Sequence, residues 1–414
     1  MTSSAGTPRV AACFFFHWNI LYAEISQTER RELPARSYAP ILDLLADHPR
    51  ITAAVEMNGA TLEHLQSRHP TIIDKLKRLA DANQIELVGS TWRSPFLLDV
   101  RGEHFARHMR MYLKLHKQVF ESHPQGFYAH ECCADGRLPR LMREYAYGWF
   151  FAWTRHIARH LSERDRPNYV AHGFVHPYAF TSDDGERMLG LPLHGDEIDC
   201  MLSASDGVRA LDWYADHLGS FADVCAGRPG ILVPGPSDGE FIHDGEKTPA
   251  WFRRVFETHR HIRPAWIDRL WRILETDARL DFTLPSAYFA ANPTAESLAL
   301  LPGGGFERED LEHSEVLAEP LQKQLRKLAA QVDLLEAKLR FAVAEGKKVG
   351  HIGGEIESHT EKMLALELSD LSRWHPSAGK RKESVDAARQ LLARGREIEQ
   401  DLDSLGSAPA ASSG

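Results

Sequence analysis

Short apolar runs alternate with helical patterns from Val10 to Pro285, and this alternation limits the fold more than any other property of the chain. Val10 to His17 reads as a strand, Pro40 to Asp47 as a helix, Ile51 to Met57 as a strand and Thr61 to Arg68 as a helix. The spacing then predicts a helix over Thr71 to Ala82, a strand at Ile85 to Val88, a helix from Glu103 to Ser122 and a strand at Gly126 to Ala129. Strand and helix repeating at this interval imply a parallel sheet with right-handed crossovers, either open or closed into a barrel.

From Arg155 to Gly190 the pattern breaks at Pro167, Gly173, Pro177 and Gly185, which predicts an inserted loop region around 155–200. A strand at Gly230 to Val233 and a helix from Ala250 to His259 resume the repeat, and Phe282-Thr283-Leu284-Pro285 ends it. Pro302-Gly303-Gly304-Gly305 marks a boundary between a domain over 1–302 and a helical one over 306–403. In the latter, Leu321, Leu325, Leu328, Val332, Leu335 and Leu339 follow spacings of four and three, the seam of a long helix packed on a partner. Leu364 to Leu371 and Val385 to Leu402 offer that partner within the chain, while 404–414 has the composition of a disordered tail.

Two acidic residues follow apolar runs. Glu131 comes after Gly126-Phe127-Tyr128-Ala129-His130, and Asp238 after Ile231-Leu232-Val233-Pro234-Gly235-Pro236-Ser237. Side chains at the carboxyl ends of parallel strands face the mouth of the sheet or barrel, where such folds gather reacting groups. Cleaving a glycosidic bond with retention needs one carboxylate to attack and one carboxylic acid to protonate the leaving oxygen, about 5 to 5.5 Å apart. A single acidic residue at a strand end is more often a helix cap, so the pair must be judged with its surroundings.

Those surroundings resemble glycoside hydrolase family 57, the group of α-amylases, 4-α-glucanotransferases and branching enzymes. Five motif counterparts occur in order: Phe14-Phe15-Phe16-His17-Trp18-Asn19, Gln84-Ile85-Glu86-Leu87-Val88-Gly89, Gly126 to Glu131, Asp238-Gly239-Glu240-Phe241-Ile242-His243, and Ser369-Asp370-Leu371-Ser372-Arg373-Trp374. The resemblance implies an incomplete (β/α)7 barrel followed by a C-terminal α-helical region. It also implies a retaining enzyme on α-1,4-linked glucans or maltooligosaccharides, with Glu131 as nucleophile and Asp238 as acid/base. Trp18 and Asn19 stand where the family has Gln and Pro, and His130 stands where Pro precedes the nucleophile. A protonated His130 would hold Glu131 ionised, whereas a neutral one only donates a hydrogen bond.

A second Asp-Gly-Glu begins at Asp244, which makes that residue the reserve acid, although Asp238 follows the predicted strand directly. Substrate contacts are expected from His17, Glu86, Trp92, His130, His243, Asp370 and Trp374. Each has a plainer alternative: a satisfied core histidine, a packed tryptophan, a solvated aspartate. Glu86 lies inside an apolar strand, so it needs a strong partner or an outlet into the polar mouth. Asp196, Glu197 and Asp199 lack the spacing of a calcium loop and read as a cleft-edge loop.

Hydrophobic residues at 43% and charged residues at 26% are those of a globular protein, and 414 residues suit a barrel-sized domain with an attachment. A formal charge of −9 opposes nucleic-acid binding, and no run of apolar residues reaches membrane-spanning length. Five cysteines, an odd number, make a disulfide framework improbable and cytoplasm the natural compartment. No Cys-x-x-Cys occurs, so a structural zinc site is not expected, and the resemblance implies an enzyme without metal or other cofactor. Two rival readings stay open: a metal-dependent carbohydrate deacetylase, for which His17 lacks an adjacent Asp pair, and a non-catalytic glycan-binding relative.

Overall fold

The computed structural model describes residues 8–22, 25–97, 100, 102–154, 175–182, 184–194, 197–225, 228–235, 238–252, 260–293, 295–299, 320–367 and 378–405. The chain divides into two compact units, 1–92 with 109–307 and 93–108 with 308–414.

The first unit opens with β1 (Val10–Ala12) and β2 (Phe14–Trp18), α1 (Gln27–Leu33), α2 (Ala39–Asp47), β3 (Ala53–Met57), α3 (Gly59–Arg68), α4 (Pro70–Asp81) and β4 (Ile85–Val88). Helix α5 (Gly102–Phe120) leads to β5 (Gly126–Phe127), α6 (Leu138–Glu144), β6 (Trp149–Trp153), β7 (Tyr178–Thr181) and β8 (Arg187–Leu193). Then follow α7 (Glu197–Ser205), α8 (Leu211–Val224), β9 (Ile231–Leu232), α9 (Pro264–Leu274), β10 (Leu280–Phe282), α10 (Pro285–Ala291) and β11 (Glu296–Ala299).

Strand β1 pairs in parallel with β9 on one side and β10 on the other, while β2 pairs with β3 and β3 with β4. A second arc runs β5–β6–β8, also parallel. Single parallel bridges, Gly89 to Phe127 and His194 to Pro234, link the arcs. These pairings form three separate ladders joined only by single bridges, a mixed α/β arrangement in keeping with the incomplete (β/α)7 barrel expected from the sequence and not closed by continuous ladders among the described residues. The interior is apolar: Phe15, Ala54, Val88, Phe151, Leu191, Ile231 and Val233 belong to one buried cluster.

Two expectations change here. The stretch read as an irregular insertion holds β7 and β8, and β8 is a barrel strand. Its Gly190 admits the Phe180 ring of the antiparallel neighbour β7, where an added Cβ would sit 2.2 Å from that ring. The residues read as an acidic cleft-edge loop also differ: Glu197 and Asp199 lie in α7, and Asp196 is outside the described residues.

The second unit contains α11 (Pro320–Ala344), α12 (Ile352–Leu366) and α13 (Ala378–Ser404). Leu335, Ile352, Ile356, Ile398 and Leu402 form its core, so the leucine seam of α11 finds its partner within the chain. Lys338 Nζ donates to Glu399 Oε1 and to Asp403 Oδ1, both at 2.8 Å, on the α13 side of that contact. Burial opposes ionisation of Glu367, yet hydrogen bonds from His104 and His108, at 3.1 and 3.0 Å, outweigh it and hold the carboxylate at about 2. The Pro302–Gly305 boundary, Asp370, Trp374 and the tail from 406 lie outside the described residues. No helix among the described residues is long and apolar enough to cross a membrane.

Candidate active site

Alternation along the strands places His17, Glu56, Glu86 and Val88 on the same inward face as Phe15 and Ala54. His17 stands opposite Glu56 in the β2–β3 register, and its backbone also bridges Asp238. His17 Nδ1 and Glu56 Oε2 share a short hydrogen bond, with both side chains buried. Burial alone pushes the imidazole down, but Glu56, then Asp238 and Glu240, reverse the effect and raise it to about 10. The barrel mouth thus holds an imidazolium among three carboxyl groups at neutral pH.

Asp238 ends the segment after β9 and precedes a single 3₁₀ turn, Gly239–Phe241. Burial raises its pKa, and the His17 charge and the Tyr22 hydroxyl, which donates to Oδ1 at 3.2 Å, pull it back. Glu240 in the same turn is fully enclosed. It accepts the Asn19 amide at 2.9 Å and a short hydrogen bond from the Tyr38 hydroxyl. Burial and then Asp238 push it up to about 8, so it keeps its proton at neutral pH.

Local sequence explains how these partners are held. Tyr38 ends a π-helical turn, Pro34–Tyr38, squeezed between α1 and α2. Its ring stacks on Trp18 at 4.3 Å, the two planes 5° apart. Trp18, which replaces the family's usual Gln, is therefore core rather than cleft wall. Asn19 is structural as well. Its Oδ1 accepts from Leu21 N at 2.9 Å and from Asn58 Nδ2 at 3.1 Å, while Asn58 caps α3 by accepting from Thr61 N at 2.8 Å.

Glu131 follows β5 in a tight turn with φ 58° and ψ 23°, and Cys132 also has positive φ. Left-handed backbone at a non-glycine residue costs on the order of 1–3 kcal/mol and collects at functional sites. Glu131 is 4% exposed. The His130 ring meets His17 edge-on at 5.0 Å, and burial, reinforced by the His17 charge, drives its pKa well down. His130 is neutral, so it does not hold Glu131 ionised by charge.

The remaining sequence candidates fall elsewhere. Glu86 lies one layer below Glu56, where Oε2 accepts from Ser286 N at 2.9 Å and Oε1 bonds the Ser286 hydroxyl, which itself accepts from Trp149 Nε1 at 3.1 Å. Burial raises its pKa and these bonds lower it. Glu86 thus has the strong partner its position demanded and ties β4 to α10. Trp92 is half-buried over Gly59, where a Cβ would sit 2.4 Å from the indole. His243 accepts from Gly245 N at 2.9 Å, and burial followed by His261 lowers it to about 4. Asp244 pairs with Arg36 at 3.2 Å with 40% of its side chain exposed, apart from the buried cluster.

Sequence reading passed over Glu56, Glu240, Tyr22 and Tyr38. Glu56 carried a usable signal, a carboxylate inside Ala53-Ala54-Val55-Glu56-Met57; the tyrosines carried none.

Residues 8–181 match the family described as Glycosyl hydrolase family 57. An α-amylase of Pyrococcus horikoshii is 24% identical over 260 residues, 62% of this chain and 36% of that protein. A 4-alpha-glucanotransferase of Thermococcus kodakarensis is 23% identical over 256 residues, 61% of this chain and 35% of that one. The chain thus spans about a third of the length of these relatives. In fold it is similar to a family 57 branching enzyme of Thermococcus kodakaraensis, with a TM-score of 0.70 and 13% identity over 98% of this chain and 92% of that structure. The match to glycosyl hydrolase family 57 thus covers the stretch from β1 to β7, which carries three of the five motif counterparts at the ends of parallel strands.

Proposed function

We propose that the chain is a retaining enzyme on α-1,4-linked glucans. Glu131 attacks the anomeric carbon, and Asp238 protonates the departing oxygen and then activates the acceptor. The observations that carry this reading are a carboxylate held in left-handed backbone after β5, and a second, six residues beyond β9 and bridged to His17, whose pKa burial raises. A general acid needs that upward shift to keep its proton near neutrality. The relatives named α-amylase and 4-alpha-glucanotransferase support the substrate class. Water as acceptor gives hydrolysis; a sugar hydroxyl gives transfer. His17, neutral His130 and His243 are the proposed polar contacts of the sugar, with Trp92 as a stacking surface. We place the enzyme in the cytoplasm, on the odd cysteine count.

The test is product analysis on maltooligosaccharides, amylose and glycogen, with Glu131→Gln as comparison. The variant should fold and lose turnover by several powers of ten. A fluorinated glycosyl donor should leave one sugar attached to Glu131 in the parent, read by peptide mass. Full activity in Glu131→Gln, or labelling elsewhere, removes the reading.

A further inference from the structure

Away from the barrel mouth's carboxylates, α7 and α8 bring together a different donor set. Glu197 and Cys200 sit three residues apart on one face of α7, and His217 comes from α8. One ligand atom from each lies within 4.8 Å of the other two. His217 Nε2 is 3.0 Å from Glu197 Oε1. The imidazole is held in plane by Trp213, whose ring stacks on it at 5.4 Å with the planes 2° apart, and Arg209 covers Trp213 at 4.0 Å.

A Glu–His ion pair explains only part of this arrangement. Glu197 is 7% exposed, and its second oxygen, Oε2, has no hydrogen-bond partner among the described residues. The Tyr214 hydroxyl, fully buried, also has none among the described residues, and its ring lies 6.2 Å from that of His217. Buried polar atoms left unpaired cost about 1–3 kcal/mol each. A cation bound by the carboxylate, thiolate and imidazole satisfies the orphaned oxygen and uses all three side chains.

We propose that Glu197, Cys200 and His217 form a zinc site that clips α7 to α8 on the carboxyl side of β8. Oxygen, sulfur and nitrogen donors together suit Zn²⁺, which accepts each of them and prefers four ligands. Tetrahedral bonds of about 2.0–2.3 Å separate ligand atoms by roughly 3.3–3.8 Å, so the three groups need only small rotations. The fourth position falls to water or to the Tyr214 oxygen. The Cys200 thiol proton leaves to solvent on binding.

The full chain, dialysed against a chelator, is titrated with Co²⁺ and then Zn²⁺. The expected result is one cobalt per chain, a thiolate-to-cobalt charge-transfer band in the near ultraviolet with intense tetrahedral d–d bands, and their loss on adding one equivalent of zinc. Cys200→Ser, at a partly exposed position, should fold and lose the charge-transfer band. His217→Gln should weaken zinc binding at least about tenfold. Glu131→Gln should bind as the parent does, which separates this site from the glucan chemistry. No charge-transfer band in the parent, or a band unchanged in Cys200→Ser, overturns the proposal; the parent titration decides by itself if a variant misfolds.

Discussion

The Tyr22 hydroxyl donates to Asp238 Oδ1 at 3.2 Å and lies 3.5 Å from Glu240 Oε2, so one phenol connects two carboxyl groups that burial drives toward their protonated forms. It is also one of the groups that lower the pKa of Asp238. Tyr22→Phe removes that donor, and the Asp238 pKa should rise further. With Asp238 as the acid, the alkaline limb of the kcat/KM profile should move to higher pH, while the rate falls by about tenfold, the value of a hydrogen bond to a charged acceptor. An unmoved alkaline limb would separate Asp238 from that limb.

Glu240 gives the protein a pH-dependent stability of defined sign. Its folded pKa of about 8 exceeds the ordinary carboxyl value of 4.5, so between these values the native state binds more protons than the unfolded chain. Stability from this group is present below the unfolded pKa and is lost as pH rises through about 8. His17, raised from 6.5 to about 10, adds a loss of the same sign at higher pH. Tm should fall from pH 6 to pH 9, and Glu240→Gln, which keeps an oxygen for Asn19 and Tyr38, should flatten the fall. Parallel Tm profiles in parent and variant would contradict this.

Much of the barrel could be read in advance because its elements are bounded locally. The strand Ile85–Val88 matches its expected limits, set by Gln84, which donates to Leu45 O, His48 O and Ile51 O, and by Gly89 beyond it. Strand β8 could not be read this way. Gly190 and Pro192 signal a break, yet Gly190 is needed by the Phe180 ring and Pro192 sits within the strand. The proposed site divides similarly. Glu131 and Asp238 announce themselves by following apolar runs, whereas Tyr22 and Tyr38 reach Asp238 and Glu240 across more than two hundred residues, a separation that no local pattern encodes.

Gly239 lies under the Trp18 indole, where an added Cβ would come within 2.6 Å of its ring. Gly239→Ala should destabilise the protein by about 1–3 kcal/mol, as overpacking does. Combining it with Trp18→Phe should recover part of the loss, because neighbouring sites couple. A Tm unchanged in the single variant would show that the indole can move aside.

Chemical rescue separates the two Asp-Gly-Glu segments. In Asp238→Ala, poor leaving groups should slow far more than activated aryl glucosides, and azide should restore turnover of the latter by attacking the glycosyl-enzyme on the vacated face. The product should be a glycosyl azide with the α configuration of the substrate. Asp244→Ala breaks only the exposed pair with Arg36 and should cost about 1 kcal/mol or less, without rescue. Rescue in Asp244→Ala alone would transfer the acid to the second segment.

The interrupted ladders of the barrel bear on stereochemistry. Glu131 extends from the β5–β6–β8 arc, and Asp238 from the arc of β9, β1/β2, β3 and β4. The arcs meet only at Gly89–Phe127 and His194–Pro234, a single backbone bridge on each side among the described residues. Separation between the two carboxyl groups decides whether an attacking carboxylate or a water molecule fits against the anomeric carbon. In this chain that separation runs across two seams, each held by a single bridge among the described residues, so under the proposed mechanism a substitution at either seam is expected to shift the spacing of the two carboxyl groups while leaving both residues in place.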